Sequence, residues 1–226
     1  MHIPVIFEDK HILIINKPSG VVVHPFDFSS EETILDFLQK YRPEIFSIDN
    51  PFTLQDKRTI NLGGIVHKLD RDTSGILVIA KDEQTFKELR RIFSEHKIEK
   101  IYRAVVDGKI NEETLHIHKP LGRNKKEYKQ KVNPENPRGP LFPAETYVTV
   151  IERRSTTTLV ELIPKTGRTH QLRAHMAYIG HPIQGDKAYG STYESKNIAL
   201  HAQSLSFTLF GRYYFFTAPT PDTFLQ

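Results

Sequence analysis

The sequence predicts an α+β fold with a mixed or antiparallel sheet, organised as one domain over residues 1–226. Three observations carry this. Apolar runs of strand length outnumber helical stretches, they do not alternate with helices in a β-α rhythm, and no repeat or Ser/Gly-rich linker divides the chain.

Taken in order, VIFEDKHILIINKPSGVVVHP reads as strand, turn, strand, with Pro18-Ser19-Gly20 as the turn. Ser29-Ser30-Glu31-Glu32 opens a helix, with Ser29 and Glu32 as a capping box; Ile34, Leu35, Leu38 and Tyr41 follow at helical spacing and Pro43 stops it. Residues 43–62 read as loop. The stretch GIVHKLDRDTSGILVIAK, Gly64 to Lys81, has strand-like flanks around a polar centre, and Ile76 to Ala80 is a buried strand. Asp82 caps a helix whose apolar face is Phe86, Leu89, Ile92 and Phe93. Strands are expected at Ile101–Val106, Glu145–Ile151 and Leu159–Ile163, with a basic loop over 119–143. Thr169–Tyr178 reads as a short helix, and the tail as a hairpin around Gly211.

The 226 residues contain no cysteine, which removes disulfides, Cys-ligated metals and thiol nucleophiles and makes a reducing cytoplasm the default. No apolar run approaches the length of a membrane span, and the N-terminus shows no signal pattern. The net charge of +4 is mild, but its distribution is uneven. Residues 1–56 hold nine Asp/Glu against four Lys/Arg, whereas residues 119–138 hold seven Lys/Arg against two Glu. A basic block beside an acidic region fits a nucleic-acid footprint and fits a solvated loop equally well.

Two stretches ask for chemistry. Asp70-Arg71-Asp72-Thr73-Ser74-Gly75 begins like a calcium loop, but Lys81 stands where the twelfth-position Glu belongs and Ile76–Ala80 wants to be a strand. A hairpin turn explains Thr73, Ser74 and Gly75. In IPKTGRTHQLRAHM, Ile163 to Met176, His170 and Arg173 share a helix face opposite Leu172 and Met176. An arginine on the polar face of a half-buried helix needs a carboxylate or an anionic ligand, and Asp70 is a candidate.

With these strings on the page, HKLDRDTSGILVIAK resembles the HRLDxxTSG motif of the RluA-type pseudouridine synthases. Further landmarks follow in that family's order. They are Glu8 to Gly20 with NKPSG, Lys100-Ile101-Tyr102 as K-x-Y, Thr166 to Arg173 with Gly180 to Asp186 as TGRTHQLR…GHPIQGD, then Leu200-His201-Ala202 and Ala218-Pro219. The resemblance runs from about residue 5 to 220. Lys68 departs from it, standing where the family usually has Arg and lacking the planar fork. By the same resemblance the chain is expected to be a short form that begins at the catalytic domain, without the small N-terminal S4-like RNA-binding domain that many relatives carry.

The resemblance implies a pseudouridine-synthase-like fold, with a mixed, mainly antiparallel central sheet flanked by helices and loops. It implies a cytoplasmic monomer that isomerises uridine in rRNA or tRNA, breaking N1–C1′ and forming C5–C1′, with no metal or cofactor. Asp70 becomes the catalytic carboxylate, Arg173 its partner, and Tyr102 the ring that packs on the target base. Cations assigned to RNA are Lys68, Arg71, Arg123, Lys125, Lys126, Lys129, Arg168 and His170. Arg71 and Asp72 also read as plain turn residues, Arg168 as a brace for its turn, His67 as a structural hydrogen-bonding group, and Lys17 as a surface charge or an RNA contact. Two rivals stand beside this reading. A metal hydrolase would use His170, His175 and His181, although their spacing gives no i, i+4 pair. A non-catalytic RNA-binding module would not need Asp70.

Overall fold

A computed structural model describes residues 1–25, 31–123, 129–135 and 137–224. The architecture is the expected α+β one, and the chain forms two compact units, residues 1–98 with 204–218 and residues 99–203 with 219–226.

In the first unit, β1 (Val5–Glu8), β2 (Ile12–Lys17) and β5 (Ser74–Ala80) are neighbours in that order, antiparallel throughout. Ile12–Ile15 and Ile76–Ala80 are buried on both faces, which is why they read as unbroken apolar runs rather than alternating ones. The first hairpin turns at Asp9–His11, where Asp9 Oδ1 accepts from the backbone N–H groups of His11 and Ile12. Pro18-Ser19-Gly20 therefore does not join two strands, and 21–23 is not a strand. Helix α1 spans Ile34–Tyr41 and is capped by Thr33 in a reciprocal box with Asp36, so Glu31 and Glu32 precede it; Ser29 lies outside the described residues. Residues 43–62 are not a loop. They form a 3-10 turn at Pro43–Ser47 and a hairpin of β3 (Pro51–Thr53) with β4 (Thr59–Asn61). Helix α2 (Glu83–Ser94) starts at the Asp82 cap as expected, Asp82 accepting from the Thr85 N–H.

In the second unit the order is β6 (Glu99–Asp107), β11 (Thr157–Pro164), β10 (Glu145–Arg153), β7 (Thr114–His118), again antiparallel. The basic stretch is not all loop. It holds a small hairpin of β8 (Leu121–Arg123) with β9 (Gln130–Val132). Helix α3 (Gln171–Tyr178) presents Leu172 and Met176 to one face of this sheet, where they share a core with Ala104, Val106, Val148 and Leu162. Strand β12 (Leu200–Leu209) begins in this unit and ends in the first, where it pairs with β13 (Arg212–Thr217). Their two-residue turn has positive φ at both Phe210 and Gly211, the geometry that suits the twist of a tight hairpin.

Among the described residues, no helix is long and apolar enough to cross a membrane. Met176 is fully buried in the second unit's core. Met176→Ala is therefore expected to cost about 3 kcal/mol in urea denaturation, with an unchanged m-value.

Candidate active site

Asp70 sits in the first unit, at the head of a turn leading into β5. Its carbonyl accepts from the Thr73 N–H at 3.2 Å, closing the turn, and Thr73 is buried beneath it. The flank before it is not a strand. Residues 64–69 run beside β5 through an Ile65–Ile79 bridge, an Ala80 N–H donated to the Gly64 carbonyl at 2.9 Å, and a Val78 N–H donated to His67 Nε2 at 3.1 Å. His67 also stacks on Phe93, so its role is the structural one. Gly64 permits this approach, because a Cβ there would lie 1.9 Å from the Ala80 carbonyl oxygen.

The NKPSG segment locks the turn from the other side. Gly20 N–H donates to the Arg71 carbonyl at 2.9 Å, and Ser19 Oγ donates to the Asp72 carbonyl at 2.6 Å. Lys17 is neither a surface charge nor a group placed to meet RNA. It is 0% exposed, and its ammonium donates to the carbonyls of Pro18, Val21 and Arg71 at 2.9, 2.7 and 2.9 Å. Three acceptors for three N–H bonds is full coordination. Burial pushes the Lys17 pKa down to about 7 against the pull of the Asp72 and Asp70 charges. Sequence reasoning missed this role, because nothing local distinguishes a strand-end lysine that folds inward from one that points out.

Arg71 and Lys68, both assigned to RNA, flank this turn. The Arg71 guanidinium is on Glu31 at 2.9 Å and on the Gly20 carbonyl at 3.3 Å, a surface brace. Lys68 is exposed, and its charge adds to burial in holding the His24 pKa down.

The second unit holds the other expected residues. Tyr102 is half-buried on β6, opposite Leu162 and packed on the core that α3 covers. Arg173, on α3, is almost wholly buried and binds Asp186 through two parallel bonds, Nε to Oδ2 at 2.7 Å and Nη2 to Oδ1 at 3.0 Å. The Tyr189 ring lies 5.0 Å from the guanidinium carbon. The Tyr189 hydroxyl meets His170 Nδ1 at 3.1 Å and accepts from the Gln130 N–H, and the Lys129 ammonium lies over the same ring at 5.8 Å. Arg173, His170 and Lys129 are thus gathered around one tyrosine. Asp186 and Tyr189 carried no assignment from sequence. The requirement that a buried arginine find a carboxylate was legible, but the pairing closes only through the fold of the GHPIQGD loop.

Helix α3 starts from His170 in a left-handed conformation, φ 54°. The loop before it is built by Gln171, whose Oε1 accepts from Thr166 Oγ1 and the Arg168 N–H, and whose Nε2 donates to the Glu145 carbonyl. Arg168 donates to the Pro143 carbonyl and lies over the exposed Phe142 ring, so it braces this loop while staying exposed. Arg123 is exposed on β8, away from these groups in sequence, and Lys125 and Lys126 lie outside the described residues. His175 uses both ring nitrogens, on Thr146 Oγ1 and the Lys119 carbonyl, and burial lowers its pKa. Together with His181 Nδ1 on the Asp107 carbonyl, this makes the histidines structural rather than a ligand set. Among the described residues no group of three or more His, Asp or Glu is arranged to hold a metal.

A family model described as RNA pseudouridylate synthase matches residues 11–178, spanning the Asp70 turn, Tyr102 and Arg173. The chain belongs to this family. It is 35% identical to a protein of Bacillus subtilis (strain 168) named as an uncharacterized RNA pseudouridine synthase, YlyB, over 98% of this chain and 70% of that one. It is 33% identical to ribosomal large subunit pseudouridine synthase D of Nitrosomonas europaea, over 96% of this chain and 62% of that one. The chain thus spans between about three-fifths and seven-tenths of these relatives' length. Among solved structures, human RNA pseudouridylate synthase domain containing 1 superposes with a TM-score of 0.78 at 25% identity, covering 96% of this chain and 83% of that one. The pseudouridine-synthase fold expected from the motifs is the one present.

Three outcomes are expected from the Asp70 turn. Lys17→Met leaves three carbonyls without their ammonium and should cost about 3 kcal/mol at pH 7 in urea denaturation. From about pH 7 to 10.5 the unfolded chain binds more protons at Lys17 than the folded one, so this group's contribution to stability rises with pH. The stability gap between wild type and Lys17→Met should therefore widen from pH 7 to pH 10. Gly64→Ala should cost about 2 kcal/mol by pushing the 64–69 segment off β5.

Proposed function

We propose that the protein is an RNA pseudouridine synthase, with residues 1–226 acting as one catalytic domain, a cytoplasmic monomer that needs no metal or cofactor. The observation that carries this is the Asp70 turn. A half-buried carboxylate is presented by a loop whose backbone is fixed by a coordinated buried ammonium, and such rigidity suits a reacting group rather than a surface turn. Family membership supplies the reaction class. The relatives named as ribosomal large subunit synthases make ribosomal RNA the first substrate to test, with transfer RNA second.

The reaction is an isomerisation, so no redox partner or co-substrate is required. The N1–C1′ bond of uridine breaks, the base turns, C5 bonds to C1′, the C5 hydrogen leaves as a proton and N1 gains one. In this reading the Asp70 carboxylate acts at the sugar, as nucleophile or as base. In the same reading Arg173 serves as the site's fixed cation, its planar fork held rigid by Asp186. Tyr102 offers an aromatic face to a base taken out of its stack. Lys68, Arg71, Arg123, Lys125, Lys126, Lys129, Arg168 and His170 meet the phosphate backbone, Arg168 in addition to bracing its loop.

Tritium release from RNA labelled at uridine C5 tests the reading directly. Wild type should release label with or without EDTA, and Asp70→Ala should fall by about a thousandfold. RNA that is bound without release by wild type would instead identify a binding module, and loss of release in EDTA would revive the metal hydrolase.

A further inference from the structure

Lys100 is a half-buried cation that the mechanism above does not use. It lies on β6 two residues before Tyr102, so the two side chains leave the strand on the same face, about 7 Å apart along it. Its neighbours on that face, Ala104 and Val106, pack against α3. The ammonium reaches the loop before α3, where a Cβ on Gly167 would be 3.8 Å from Nζ. Among the described residues its one hydrogen bond goes to the Thr166 carbonyl at 3.4 Å, at the weak end of the range, and no carboxylate pairs with it.

The contrast with Lys17 is instructive. Lys17 is fully buried and Lys100 partly so, and burial alone pushes the Lys100 pKa down to about 8. Lys17 has three short acceptors in return, whereas Lys100 has one long one. A half-buried ammonium left with unused N–H bonds is costly unless something completes its coordination. The ammonium therefore has N–H bonds to offer an acceptor beside Tyr102, and an anion would be the strongest one.

We propose that Lys100 is a substrate-contacting residue whose ammonium binds a phosphodiester oxygen of the RNA strand beside the target uridine. The proposal rests on the synthase reading for the placement of the base at Tyr102. The separation of the two side chains along β6 is comparable to that between a base and the phosphate of its own nucleotide. The contact fixes the register of the strand, so that the uridine meets Tyr102, and carries no base specificity of its own. Gly167 belongs to the design, since a bulkier residue there would crowd the ammonium.

The test uses total ribosomal and transfer RNA labelled with tritium at uridine C5, read both by filter retention over a series of KCl concentrations and by tritium release. Lys100→Met should bind about tenfold more weakly than wild type at low salt. Its plot of log affinity against log salt should be shallower by about 0.7, the signature of one lost phosphate contact on a single strand. Lys100→Arg should keep the wild-type slope. Thermal melts identify any misfolded variant, and Lys100→Gln replaces Lys100→Met if that variant melts early. An unchanged slope in the uncharged variants overturns the proposal, whatever happens to activity. A reduced slope with no tritium release by wild type would leave the phosphate contact standing and overturn the synthase reading instead.

Discussion

The Lys17 ammonium is the interaction on which the presentation of Asp70 depends. A positive charge fully removed from water is expensive, and this one is tolerated because each N–H bond has a short carbonyl acceptor. Those acceptors come from two chain segments, so one charge ties the end of β2 to the turn that carries the carboxylate. The Gly20 N–H and Ser19 hydroxyl continue the same seam onto the Arg71 and Asp72 carbonyls. The turn borrows its shape from a neighbouring segment, and the side chains of Arg71 and Asp72 are left to the surface.

The second unit solves a similar problem with different parts. Arg173 is too large and too charged to be buried alone, and Asp186 takes one whole edge of its guanidinium. Tyr189 then covers the face of that guanidinium and anchors His170 and the start of β9 through its hydroxyl. The result is a cation whose direction is set by packing and hydrogen bonding together. Gln171 plays the equivalent part for the loop before α3, its amide bonded to four backbone or hydroxyl groups around it.

Much of this was legible because some signals are local. Continuous apolar runs located β2 and β5, the Asp82 cap located α2, and Gly211 located the last hairpin. The misreadings share one cause. Pro18-Ser19-Gly20 looks like a hairpin turn, but it is stabilised by residues more than fifty positions away, so its local signal was right about bending and wrong about what it joins. The hairpins β3–β4 and β8–β9 have strands of only three residues, too short to show the alternation that reveals a half-buried strand. At the site, motif order singles out Asp70, Tyr102 and Arg173 as candidates, but motif order is silent about contacts. Lys17 and Asp186 became visible as structural groups only once burial and geometry were known.

The seam between Lys17 and Arg71 also bears on how the protein acquires its shape. The two residues are 54 positions apart, with α1 and the β3–β4 hairpin between them. Contacts of such high sequence separation form late, because the chain entropy of closing the loop has to be overcome before they return anything. The turn that displays the carboxylate thus has no stable local form of its own, and takes shape only when β2 and β5 have paired. A nascent or partly folded chain can hold helices and hairpins and still lack a formed Asp70 turn. Ordering of that turn therefore reports completed pairing of β2 with β5 in the first unit.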